Sequence, residues 1–275
     1  MTENFDLDRL VEAALAEPEE FLARFGQIAD TLDDWQAGWV RGLALRETGR
    51  LREAEAAMGQ AVDAILEIDP VAAARVRSSR SILFLSLGDT DAALADADWA
   101  AQHLIDGDAG RNESQRGIIL FRLGRHLEGL DACARALPLL EQAGDLKALG
   151  RLHGNIGVTH SVLGNVESAR EHLAEAARLA RETDSPLAAG IAEHNLGFLE
   201  GRAGDVPAAL AHFDAAEELL RDLVGPGRKA VATIDRAEVL ADAGLLEDAL
   251  AHVEQSIAAL SEAEERIVLA EARLL

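Results

Sequence analysis

The stretch HNLGFLEGRAGDVPAALAHF, residues 194–213, carries three glycines, a proline and two histidines, yet both of its ends read as helix. Its glycines are either a loop that cradles phosphate, which would point to a nucleotide enzyme, or punctuation between two helices. The rest of the chain decides between them. GNIGVTHSVLGNVESAREHLAEAARLA begins at 154, RGIILFRLGRHLEGLDACARAL at 116 and RGLALRETGRLREAEAAMGQAV at 41. Aligned on one glycine per copy, the anchors are Gly49, Gly88, Gly124, Gly164, Gly204 and Gly244, separated by 39, 36, 40, 40 and 40 residues.

Small residues recur around these anchors. Seven positions before them stand Gly42, Ser81, Gly117, Gly157, Gly197 and Ala237. Five after stand Ala54, Ala93, Gly129, Ala169, Ala209 and Ala249, and twelve after stand Ala61, Ala100, Ala136, Ala176, Ala216 and Ser256. This is an internal repeat, with a helix running up to each anchor and a second helix leaving it. The anchor glycine can adopt φ > 0 and close the first helix. Asp89, Asn165 and Asp205 follow their anchors as caps, and Pro207 falls in a first turn, where its missing N–H costs nothing. Gly197 is therefore expected to be a helix-contact glycine and Gly204 a turn glycine, neither of them holding phosphate.

Composition agrees. Hydrophobic residues make up 49% of the 275 residues, but aromatics only 4%, with no tyrosine, so alanine and leucine supply the apolar bulk. These are helix formers, and strand-favouring residues are sparse. The formal net charge of −23 disfavours a nucleic-acid partner. The N-terminus MTENFDLDRL lacks a secretory pattern, and no apolar run is long enough for a membrane helix. One cysteine, Cys133, cannot form an internal disulfide. The expectation is a cytoplasmic protein with neither membrane nor nucleic-acid partner.

The pattern resembles the tetratricopeptide repeat, whose usual period is 34 residues. The resemblance covers about residues 35–260 and implies an all-α fold, a right-handed α-solenoid of antiparallel helix pairs wound into a superhelix. The longer period looks like that of the kinesin light chain and spindle-adaptor branches, and the aromatic slots of the family are mostly aliphatic here. Six repeats are expected, at about 35–70, 71–109, 110–145, 146–185, 186–225 and 226–260. Residues 1–34 would form a divergent capping helix pair split by Pro18. Residues 261–275 would begin a seventh repeat or form a terminal cap; because they stop on Leu274 and Leu275, a longer protein is expected.

Chemistry is scarce. The phosphate-like GPGRK at 225–229 falls between repeats and reads as a loop. His153 and His160 share a helix face, but at seven residues they stand about 10 Å apart along the axis, too far for one ion. His172, His212 and His252 recur eight residues after their anchors, beside the helix seam. Cys133 occupies the slot that holds Ala97, Leu173 and Phe213 elsewhere, a packing position. No catalytic residue, metal site or cofactor is expected.

The resemblance further implies a ligand groove lined by positions 2, 5, 6, 9, 12 and 13 of each first helix, counting the turn glycine as 15. Position 2 is Arg75, Arg111 and Arg151 in three consecutive repeats. Ser78, Ser114, Gln115, Arg122, Asn155, His194, Asn195 and Arg202 complete the expected peptide-binding set, with Asn155 and Asn195 at position 6, where peptide-binding members grip a ligand backbone. The first helices of repeats two to four hold eight bases against one acid, Glu113. This implies a scaffold for an extended, acidic peptide or protein segment, with self-association a further expectation. The alternative is the regulatory arm of a larger enzyme. AEHNLGFLEGRAGDVPAALAHFDAAEELL (192–220), DRAEVLADAGLLEDAL (235–250) and LAEARLL (269–275) are similar to the N-terminal arrays of actinobacterial CHAT proteins, which carry a caspase-like protease after the repeats. Sensor arrays of signalling ATPases and transcription activators look much alike.

Overall fold

The computed structural model describes residues 7–221 and 223–262, and the chain divides into two compact units, Met1–Gly144 and Asp145–Leu275. Among the described residues the regular structure is entirely helical. The first unit opens with α1 (Leu7–Ala16), α2 (Pro18–Arg24) and two single 3₁₀ turns. Three antiparallel pairs follow: α3 (Asp34–Glu47) with α4 (Leu51–Ile65), α5 (Pro70–Ser86) with α6 (Thr90–Ala101), and α7 (Asp106–Arg122) with α8 (His126–Ala143). The second unit holds α9 (Leu146–Val162) with α10 (Val166–Glu182), α11 (Pro186–Arg202) with α12 (Val206–Leu220), and α13 (Pro226–Asp242) with α14 (Leu246–Glu262). Of residues 261–275, where the last helix was expected, the first two end α14 and 263–275 lie outside the described residues.

The turn of every pair is built alike. Gly49, Gly88, Gly124, Gly164, Gly204 and Gly244 all have φ between 73° and 89°. Each glycine N–H bonds the carbonyl three residues back, and the next residue's N–H bonds the carbonyl five back, as in Asp205 N to Glu200 O at 2.9 Å. This double closure satisfies helix-end carbonyls that would otherwise lack partners, and it needs the left-handed conformation that glycine adopts without strain. Asp89 and Asp205 then cap the following helices through Ala92 N and Ala208 N. Asn165 departs from the expected cap, its amide lying 3.3 Å from His160 Nδ1. The GPGRK segment also departs from a plain loop. Only Gly225 is outside the helix, and Pro226, at the first helical position, starts α13 within the motif.

The seam between paired helices explains the alanine-rich, aromatic-poor composition. All eighteen small residues at −7, +5 and +12 from the anchors are buried. Within that seam the −7 and +9 residues share volume. A Cβ on Gly42 would stand 2.5 Å from Met58 Cγ, on Gly117 2.8 Å from Cys133 Sγ, on Gly157 2.7 Å from Leu173 Cγ and on Gly197 2.8 Å from Phe213 Cδ1. Where the −7 residue is Ser81, the +9 partner shrinks to Ala97. Gly129, the one glycine among the +5 alanines, makes room for the Phe121 ring, which would lie 2.3 Å from an added Cβ. Close packing of this kind is felt at the level of single methyl groups.

In the first unit, Leu10, Phe21, Trp39, Leu43, Met58, Val76 and Leu83 belong to one core that joins α1 and α2 to the first two pairs. In the second unit, Leu173 packs with Leu196 and Leu199, and Phe213 packs with Val239. Each such side chain contributes roughly 1.5–3 kcal/mol by leaving water.

Candidate functional site

Adjacent repeats are tied by a recurring polar rung. Position 5 of one first helix bonds position 6 of the next: Trp39 Nε1 donates to Ser79 Oγ at 3.0 Å, Ser78 Oγ to Gln115 Oε1 at 2.8 Å, and His194 Nε2 lies 2.8 Å from Asp235 Oδ2. Positions 5 and 6 therefore serve stacking first. At Gly154 the rung is missing, because position 5 there has no side chain. Position 6 of the next repeat is Asn195, half-buried, and its side-chain amide has no hydrogen-bond partner among the described residues. The amide of Asn155, also half-buried, has none either.

A second register sets position 4 of the first helix against the residue eight after the anchor. Arg77 and Arg80 hold the buried Asp96 at 2.7 and 2.6 Å, His153 Nδ1 lies 2.9 Å from His172 Nδ1, and Glu193 Oε2 lies 2.7 Å from His212 Nδ1. His160 also stacks on His172, with centroids 5.9 Å apart. His153 and His160 are thus bridged by an imidazole from the facing helix, a neighbour that spacing along α9 alone does not reveal. Burial, with the nearby His153 and His160, pushes the His172 pKa below its ordinary value.

The expected basic strip is largely committed to this chain's own acids. Of its eight bases, Arg75 meets Asp8 at 2.5 Å and Asp108 at 3.3 Å, Arg111 shares Asp108 at 2.6 Å, Arg77 and Arg80 hold Asp96, and Arg116 holds Asp98 at 2.5 Å. Arg75 also lies over the Trp39 ring at 5.2 Å. The guanidiniums of Arg75 and Arg111, expected to hold a ligand, are thus engaged by aspartates of α1 and α7. Ser114 is buried, and Ser78 and Gln115 bond one another. Arg122, Lys147 and Arg151 are exposed with no ion-pair partner among the described residues.

In the second unit the expected residues converge on one face. Arg151, Asn155, Val158 and Val162 recur on α9 at helical spacing, and Ile191, Asn195, Phe198 and Arg202 recur identically on α11 beside it. Val158, Val162 and Ile191 are 42%, 59% and 41% exposed. Arg202 stands over the Phe198 ring at 6.0 Å, with no ion pair among the described residues. His194 is occupied by Asp235. This face joins exposed apolar side chains, two unengaged amides and two cations. Cys133 is buried in its seam, and burial pushes its thiol up to about 12, so it stays protonated and unreactive at neutral pH.

No helix among the described residues is long and apolar enough to cross a membrane, and no group of three or more His, Cys, Asp or Glu there could hold a metal ion. A search of curated proteins returns no significant match. Among solved structures the chain is similar to the Rap protein complexed with competence and sporulation factor, at TM-score 0.71 and 16% identity over 96% of this chain and 81% of that one. It is also similar to the Cut9–Hcn1 hetero-tetramer of the APC/C, at TM-score 0.78 and 16% identity over 98% of this chain and 48% of that one. A signal transduction ATPase with numerous domains from Pyrococcus horikoshii, which has a tetratricopeptide repeat sensor, gives TM-score 0.74 and 12% identity over 97% of this chain and 41% of that one. At these identities the likeness is one of fold. The tetratricopeptide repeat family model matches residues 108–182 and 188–262, together more than half of the chain. With glycine-closed turns and small-residue seams in every helix pair, the chain belongs to the tetratricopeptide repeat family.

Proposed function

We propose that this protein binds an extended segment of a partner protein across the α9–α11 face, without catalysing a reaction in these residues. The observation that carries the reading is the pair of half-buried amides, Asn155 and Asn195, whose side chains have no hydrogen-bond partner among the described residues. An amide both donates and accepts, so two of them at matched positions can hold the N–H and C=O groups of an extended backbone. Val158, Val162, Ile191 and Phe198 offer apolar contacts beside them. Arg151 and Arg202 give the segment a reason to carry acids, through charge-assisted hydrogen bonds. Arg75 and Arg111 are left out of the site, because their carboxylates are already in place.

The Rap structure, by its description, contains competence and sporulation factor, which supports a bound partner for this fold. The test is selection of a random peptide library on the full chain, followed by calorimetry. Asn155→Ala with Asn195→Ala should weaken the selected peptides at least tenfold and leave Tm within a few degrees. Unchanged affinity in that double variant overturns the site.

A second reading places the same face in the regulatory arm of a larger protein, as in a signalling ATPase or a CHAT-type protease. The ATPase with a tetratricopeptide repeat sensor supports it, since this chain matches 41% of that protein's length. Sequencing the gene downstream of codon 275 separates the two readings.

A further inference from the structure

Between the α11–α12 and α13–α14 pairs lies a cavity of about 420 Å³. That is the size of sites that enclose small organic molecules. Its apolar wall includes Ile191, Phe213, Leu220, Val224 and Val231, and its polar wall holds Arg221, Lys229 and Arg236 against one acid, Glu217. Three cations against one acid is unexpected in a chain of net charge −23.

The preceding junction of this unit explains the charge. There Arg181 of α10 pairs with the buried Glu193 of α11, and Arg170 pairs with the buried Glu200 at 2.6 Å. Forty residues on, the corresponding positions are Arg221 with Thr233 and Leu210 with Leu240. The arginine has been kept and its carboxylate replaced by a hydroxyl. Thr233 Oγ1 is turned to its own helix, donating to Lys229 O at 2.9 Å. Arg221 has no ion pair among the described residues. Arg236 uses Nη1 on Asp214 at 2.6 Å, while its Nε is buried with no hydrogen-bond partner. A buried N–H of this kind is costly to leave unmade.

We infer that this cavity binds a small amphipathic carboxylate. The carboxylate takes the place that Glu193 holds at the preceding junction, accepting from Arg221 and from Arg236 Nε, and the apolar body lies against Leu220, Phe213 and Val231. A guanidinium and a carboxylate match in geometry as well as charge, which selects the acid over its neutral amide. The site adjoins the partner-binding face through Ile191, but the amides of that face do not line the cavity.

Calorimetry on the full chain tests this with octanoate, octanamide, and the tripeptide acetyl-Leu-Leu-Leu bearing a free C-terminal carboxylate. Octanoate is expected to bind at one site, with octanamide at least tenfold weaker. Arg221→Gln should weaken octanoate tenfold or more with Tm nearly unchanged. Thr233→Glu, which restores the missing acid, should abolish octanoate binding and raise Tm. Asn155→Ala with Asn195→Ala should leave octanoate binding intact, so that failure of the peptide site and failure of this one are distinguishable. Tripeptide binding tighter than octanoate, and lost in Thr233→Glu, upholds the carboxylate site with a peptide terminus as its source. Equal binding of octanoate and octanamide, binding unaffected by Thr233→Glu, or no binding of either acid to the folded chain overturns it.

Discussion

At Gly157 the volume of one methyl group separates a packed seam from a clash. An added Cβ would lie 2.7 Å from Leu173 Cγ and 3.1 Å from the Ala169 carbonyl. Neither a branched carbon nor a backbone oxygen can yield cheaply, so Gly157→Ala should destabilise by about 1–3 kcal/mol. Adding Leu173→Ala should recover part of that loss, because repeat two already pairs Ser81 with Ala97. A double-mutant cycle by urea denaturation measures the coupling, and strict additivity would contradict the shared-volume account. Most of this was legible in the sequence, since small residues at fixed offsets declare close helix approach without any structure. The fates of Arg75 and Arg111 were not. Asp8 comes from a helix outside the repeat, and Asp108 turns one acid toward two arginines. A repeat register locates a side chain on a helix and says nothing of which acid reaches it.

Between paired helices, the polar residues facing the seam set how stability responds to mutation and pH. Asp96 is 3% exposed and holds Arg77 and Arg80, which also lie over the Trp99 and Phe84 rings. Asp96→Ala leaves two guanidiniums without their acid in a half-buried site and should cost about 3–5 kcal/mol, whereas Arg122→Glu on the exposed surface should stay within about 0.5 kcal/mol. Chemical denaturation of the two variants checks this contrast. His172 faces His153 and His160 from α9 and has Glu171 beside it on α10; burial and the two imidazoles outweigh that acid and lower its pKa. The folded chain thus binds fewer protons than the unfolded one. The contribution of His172 is complete above the unfolded value of about 6.5 and declines as pH falls below it. Tm should therefore drop between pH 7.5 and 5.5, and His172→Leu should flatten that drop. His252, lowered chiefly by burial and next by Arg236, leaves a residual slope. An equal slope in His172→Leu would contradict the assignment. Glu200 acts in a different window. Its bond to Arg170 lowers its pKa, so its contribution is complete above the unfolded carboxylate value of about 4.3 and is lost as pH falls through the lower folded value. The sequence placed His172 beside the seam, but the trio needed the facing register of position 4 and the residue eight after the anchor, which becomes visible only when the helices are paired.

For the whole molecule, the fold was legible because six turn glycines and eighteen small residues are repeated information, each copy confirming the others. A binding site has no such repetition. Positions 5 and 6 were readable as polar, yet only the packed helices separate those that bond each other, Ser78 with Gln115 and His194 with Asp235, from Asn195, which Gly154 leaves unmatched. The central claim is that a partner segment lies on α9 and α11. Hydrogen exchange on the full chain, with and without a library-selected peptide at saturation, tests it most directly. The expected result is slower exchange concentrated in Leu146–Val162 and Pro186–Arg202. Protection confined to α3 through α8, with α9 and α11 exchanging as in the free chain, would contradict it.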